Sequence, residues 1–155
     1  MKVQFINPFI EAAHDVFEQI THQSLSLGSP SLTTTPLTSH EINVIIGITG
    51  TISGQVLYSM EPKVALSIAG AMMGGPPVPE FDDMAQSAIA ELGNILTGNA
   101  MIRLANEGYV CHLTPPTIIQ GKNIVISTLD ILSLSVPLQC ESGDITLGVA
   151  LREYR

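Results

Sequence analysis

Apolar residues recur along this chain with two different periods, and the changes of period divide it into elements. Phe9, Ala12, Ala13, Val16, Phe17 and Ile20 follow one another at helical spacing. Asn7 and Pro8 stand just before them, Asn as a cap and Pro as a first helical residue. A helix is predicted from there to Thr21 or His22. Residues 28–40 are rich in Ser, Thr, Pro and Gly and predict a loop or irregular edge segment. Ile42, Val44, Ile45, Ile46 and Ile48 predict a strand, Gly50 to Gly54 a turn, and Gln55 to Met60 a second strand, together a hairpin. Pro62 opens a second helix with Val64, Ala65, Ile68 and Met72 on its apolar face, and Gly74-Gly75-Pro76-Pro77 stops it.

Asp82 or Asp83 caps the third and longest predicted helix, which runs to about Asn106 with Gly108 as its stop. Tyr109 to Leu113 predicts a short strand broken by Pro115-Pro116, and Ile124 to Thr128 is a further apolar run. Leu132, Leu134, Val136 and Leu138 alternate with polar residues. So do Ile145, Leu147, Val149 and Leu151, with Gly143-Asp144 marking the turn between the two strands. Strand runs separated from helix runs predict an α+β fold, three helices packed on a mainly antiparallel sheet. At 155 residues the expectation is one domain over 1–155.

The third helix carries the candidate chemistry. Glu91 and Asn94 are three residues apart, which sets a carboxylate beside a carboxamide on one face. Ala88, Leu92, Ile95 and Leu96 form an apolar arc predicted to face the sheet. Glu91 lies at its margin, and Asn94 about 60° beyond Glu91, farther from the arc. Ser87 and Gly98 flank the pair on the same side. Asn94, Gly93, Gly98 and Asn99 are all poor helix formers, so this helix gives up stability for close packing or for a site. The predicted face is polar, lined by small residues and open to a partner's backbone.

Composition narrows the partner. The formal charge is −8, from six Lys+Arg against fourteen Asp+Glu, and no basic run is present. Such a surface repels phosphate backbones and anionic lipid, which argues against nucleic acid and membrane surfaces. Cys111 and Cys140 are far apart without a CxxC, and no apolar stretch reaches the ~20 residues of a membrane span. Asn7-Pro8, Glu11, His14 and Asp15 interrupt any signal-peptide core. The expectation is a soluble, cytoplasmic protein.

Ser87, Glu91, Asn94 and a later proline, Pro115 or Pro116, resemble the signature of the CheC/CheX/FliY family of chemotaxis phosphatases. The string Glu91-Leu92-Gly93-Asn94-Ile95 with Gly98 is close to that signature. The opening Asn7-Pro8-Phe9-Ile10 with Ala12-Ala13, and the hairpin glycines Gly47, Gly50 and Gly54, look like the CheX branch. The resemblance runs from about residue 5 to about 152. The first helix offers only Glu11 with His14 and Glu18 with Thr21, so a single Glu-x-x-Asn site is expected. The resemblance implies a CheX-like homodimer whose substrate is a phosphorylated response-regulator receiver such as phospho-CheY. It implies that Asn94 positions the attacking water and that Glu91 engages the receiver's active-site lysine. Ser87 and Gly98 then belong to the partner-binding surface. No cofactor is expected on this chain, since the receiver supplies the Mg²⁺.

Two other functions stay open on the sequence. One is a non-catalytic module that binds a response regulator or a motility complex, and the other is a structural subunit like the flagellar switch proteins. Metal or nucleophile chemistry finds little support. His14 and His22 are too far apart for one tetrahedral centre. Cys111 and His112 are adjacent on a predicted strand and point to opposite faces. The uncharged run Leu132 to Leu138 would need pairing if it lay at a sheet edge, and pairing across a twofold would serve.

Overall fold

A computed structural model of the chain describes residues 3–33, 37–38, 40–127 and 132–153. Among these, three helices, α1 (Val3–Thr21), α2 (Pro62–Met72) and α3 (Asp83–Asn106), cover one face of an antiparallel sheet. The strands of that sheet are β1 (Leu25–Leu27), β2 (Ser31–Thr33), β4 (Ile42–Gly50), β5 (Ile52–Met60), β6 (Cys111–Leu113), β7 (Thr117–Gln120), β9 (Ser133–Cys140) and β10 (Gly143–Glu153). Their order is β1-β9-β10-β5-β4-β6, with β2 also on β9 and β7 also on β4. A separate ribbon pairs β3 (Leu37–Thr38) with β8 (Val125–Ile126).

The period-2 alternation is what buries the inner face. Ile42, Val44, Ile46 and Ile48 of β4, Val56, Tyr58 and Met60 of β5, and Ile145, Leu147, Val149 and Leu151 of β10 all enter one core. The helices close it with Phe5, Ile6, Phe9 and Phe17 from α1, Val64, Ala65 and Ile68 from α2, and Ile89, Leu92, Leu96 and Leu104 from α3. With few aromatic residues the core is chiefly aliphatic, and side-chain shape rather than ring stacking fixes the layers.

Several boundaries differ from the expectation. α1 begins at Val3, so Pro8 lies inside the helix and Asn7 is not its cap. Burial of Phe5 and Ile6, with the Phe5 ring edge-on to Tyr109 at 5.2 Å, extends the helix back past the proline. The β4–β5 turn is shorter than Gly50 to Gly54, because Gly54 already pairs with Ile48 on one side and Leu151 on the other. The strand predicted from Tyr109 starts at Cys111. The segment 28–40 contributes β2 and β3; its residues 34–36 and 39, like Thr128, lie outside the described residues. β9 is not an edge strand: β10 pairs along one side, and β1 and β2 of the same chain fill the other. The argument for a twofold across β9 therefore lapses.

Candidate functional site

α3 owes its length and position to its ends and its packed side. Asp82 is the cap: its Oδ1 accepts from the Ala85 amide at 2.9 Å. At the other end the Tyr109 amide donates to the Leu104 carbonyl at 2.9 Å. Gly108, at φ +96°, turns the chain away. Between them Gly93 lies flat on the sheet. A Cβ there would come within 3.1 Å of Val44 Cγ1 and 3.4 Å of Tyr58 Cδ2. One turn on, the buried Thr97 hydroxyl and the Tyr58 hydroxyl share a hydrogen bond of 2.9 Å. Burial raises the Tyr58 pKa, so that phenol stays neutral and keeps the bond.

These contacts set the rotation of the helix, and it differs from the one the apolar residues suggest. The packed side runs through Ala85, Ile89, Gly93, Leu96, Thr97, Ala100 and Leu104, with Leu92 at one flank and Met101 at the other. Gly93 and Thr97 belong to the packed side although neither counts as apolar. On this rotation Glu91 points most directly outward, and Asn94 sits nearer the packed flank, the reverse of the expected order. Accordingly Ser87 and Glu91 are exposed, and Asn94 and Gly98 are half-buried. Among the described residues, neither the Glu91 carboxylate nor the Asn94 carboxamide has a hydrogen-bond partner. Apart from its chain neighbours and the helix's own backbone, no described atom lies within 4 Å of where a Gly98 Cβ would sit, so that stretch of backbone is open to approach.

α1 flanks α3. Arg103 of α3 reaches Glu11 Oε2 at 3.3 Å and Asp15 Oδ2 at 2.7 Å, and its Nε donates to Asn99 at 3.2 Å. Asn99 is thus occupied structurally, and Glu11 braces one helix on the other. α3 also touches β6 and β7, the strands joined by the link that carries Pro115 and Pro116. Thr114 fixes that link to β4: its Oγ1 accepts from the Gly47 amide at 2.8 Å and its own amide donates to the Gly47 carbonyl at 2.9 Å. Pro115 is exposed and Pro116 half-buried.

The remaining candidates stay apart. Cys111 is half-buried and His112 exposed, on opposite faces of β6. Burial pushes the thiols of Cys111 and Cys140 up, away from nucleophilic use. Among the described residues, no group of three or more His, Cys, Asp or Glu could hold a metal ion.

A firmly seated helix that turns an unengaged carboxylate outward, with an unengaged carboxamide at its flank and no side chain at Gly98 to obstruct approach, presents a surface that another protein could approach. Comparisons with known proteins show the family. The family described as chemotaxis phosphatase CheX matches residues 42–146. The CheY-P phosphatase CheX of Thermotoga maritima is 31% identical over 152 residues, covering 96% of this chain and 97% of that protein. The chain belongs to the CheX family of chemotaxis phosphatases. A CheC-like superfamily protein from Shewanella sp. PV-4 superposes with a TM-score of 0.87 at 27% identity, covering 98% of this chain and 99% of the other. A CheX–CheY–BeF3–Mg²⁺ complex from Borrelia burgdorferi gives 0.82 at 29% identity, covering 98% and 100%.

Proposed function

We propose that this chain dephosphorylates a CheY-type receiver, with Asn94 placing the attacking water and Glu91 registering the helix on the receiver. The carrying observation is the pair of outward Glu91 and flanking Asn94, both free of partners among the described residues, on a helix fixed by Gly93, Thr97 and its Asp82 cap. The substrate class follows from the CheY-P phosphatase relative, which is similar over nearly the whole chain.

An aspartyl phosphate is an activated acyl phosphate. Its hydrolysis needs a water in line with the P–O bond to the carboxylate. The water oxygen bonds to phosphorus, the aspartate leaves as a carboxylate, and the water's proton ends on the released phosphate or bulk solvent. Positioning and electrostatics carry such a step. A carboxamide suits the positioning, because it donates and accepts at once and adds no negative charge beside the phosphoryl oxygens. A carboxylate at position 94 would repel them. Glu91, one turn earlier and fully outward, is placed to meet a lysine ammonium of the receiver. Ser87 and Gly98 leave room on both sides for the receiver's backbone. In this reading the Mg²⁺ belongs to the receiver, in keeping with its presence in the complex of the Borrelia relative with CheY.

The same reading places the protein in the cytoplasm with its receiver, and no described helix is long and apolar enough to cross a membrane. It also carries a homodimer, supported by the resemblance to CheX proteins and tested by sedimentation at micromolar concentration.

The roles separate by experiment. Asn94→Ala is expected to lower stimulated dephosphorylation by on the order of 10²-fold while binding to a beryllofluoride-loaded receiver holds. Glu91→Ala is expected to weaken both. Full turnover in Asn94→Ala, with binding still dependent on Glu91, would instead mark a non-catalytic binding module.

A further inference from the structure

We propose that Met84 and Ile102 are apolar anchors that seat the receiver on α3, one at each end of the Glu91–Asn94 site. The inference rests on the phosphatase reading and names the surface that recognises its substrate.

Met84 is 67% exposed and Ile102 64%, the two largest values among the exposed large apolar side chains of the described residues. Single exposed apolar residues are ordinary. The alignment of these two is not. They are separated by five full helical turns, so they project in the same direction, about 27 Å apart. Glu91 lies between them, within about 20° of the line that joins them. Half-buried Ile95 lies about as close to that line on its other side, and Gly98, about 40° off it, has no side chain to interrupt the approach to Ile102. The outward face of α3 therefore reads Met84, the Glu91 carboxylate, Ile95, the bare backbone of Gly98 and Ile102, with the Asn94 carboxamide at its flank.

Size and charge select the occupant. A globular domain of about 120 residues has a radius of gyration of about 13–14 Å, so one such domain spans both anchors in a single contact. A second copy of this chain is the poorer fit. Laid on the same face it would oppose Glu91 to Glu91 within a chain of formal charge −8, and it would cover the site. A receiver that presents an ammonium to Glu91 and apolar side chains on either side of it satisfies the whole face.

The test uses Met84→Gln, Ile102→Gln and their combination, with Val125→Gln as an exposed control on the separate β3–β8 ribbon. Affinity is measured by titration with a CheY-type receiver carrying beryllofluoride and Mg²⁺, and turnover with the phosphorylated receiver. Each anchor variant is expected to raise Kd and KM about tenfold, and the pair about a hundredfold, since sites so far apart act independently. kcat at saturating receiver is expected to hold, the opposite split from Asn94→Ala. Unchanged Kd in the double variant, with Asn94→Ala still inactive, overturns the anchors and leaves the phosphatase reading standing. Loss of self-association in place of receiver binding, read by sedimentation, assigns the face to a second copy and also overturns the proposal. A wild-type chain that neither binds nor dephosphorylates a receiver sinks both readings together.

Discussion

Replacing Thr97 by Val probes the bond that holds α3 at its rotation. Thr97 and Tyr58 are both buried, and their hydroxyls are 2.9 Å apart between α3 and β5. Thr and Val have similar shape and similar helix propensity, so the substitution chiefly removes the partner of the Tyr58 hydroxyl. A buried hydroxyl left unsatisfied costs about 1–3 kcal/mol. For a domain of this size that is a fall in Tm of about 2–4 °C per kcal/mol. Tyr58→Phe should cost less, about 1 kcal/mol, because the freed Thr97 hydroxyl can donate to the carbonyl one turn back, that of Gly93. With both replaced, no polar atom is stranded. The double variant is therefore expected to melt above Thr97→Val. Thermal unfolding of the four proteins, read as a double-mutant cycle, measures the coupling. A double variant less stable than Thr97→Val, with the two losses simply adding, would refute the claim that this bond holds the helix.

Further outcomes are expected elsewhere in the molecule. A hydrogen bond from His14, and then one from Arg103, lower the Asp15 pKa below its usual 3.8. A lowered folded value gives stability that is complete above 3.8 and lost as pH falls through the folded pKa. Asp15→Asn should flatten that part of the acid limb of a Tm-against-pH curve, and an unchanged limb contradicts the α1–α3 brace. Gly54 has φ +151°, and a Cβ there would lie 1.9 Å from the Ala150 carbonyl oxygen. Gly54→Ala should cost about 3 kcal/mol or more, and a variant melting with the wild type counts against the β5–β10 register. Burial raises both thiols, so Cys111 and Cys140 should alkylate more slowly in the native protein than in denaturant at the same pH. Equal rates would contradict their placement.

Fold class and most elements were legible because the signals were local. The alternation of Ile145, Leu147, Val149 and Leu151 carries β10, and Asp82 and Gly108 bracket α3 in the sequence itself. What was not legible depended on contacts between elements. Pro8 is an ordinary helix-start signal, and only the burial of Phe5 and Ile6 carries the helix past it. The rotation of α3 was hidden because Gly93 and Thr97, its contacts with Val44 and Tyr58, register as small or polar in a count of apolar positions. The interior place of β9 depends on β1 and β2, three-residue strands too short to show a period. In the candidate site, Glu91 and Asn94 could be named from spacing and resemblance. Their outward and flanking placements could not, nor could the apolar residues at either end.

The most direct measurement is the decay of a phosphorylated CheY-type receiver alone, with this protein, and with its Asn94→Ala variant. The account predicts faster decay with the wild-type chain and decay at the receiver's own rate with the variant. Equal acceleration by both proteins would contradict the water-positioning role of Asn94, and acceleration by neither would contradict the phosphatase itself.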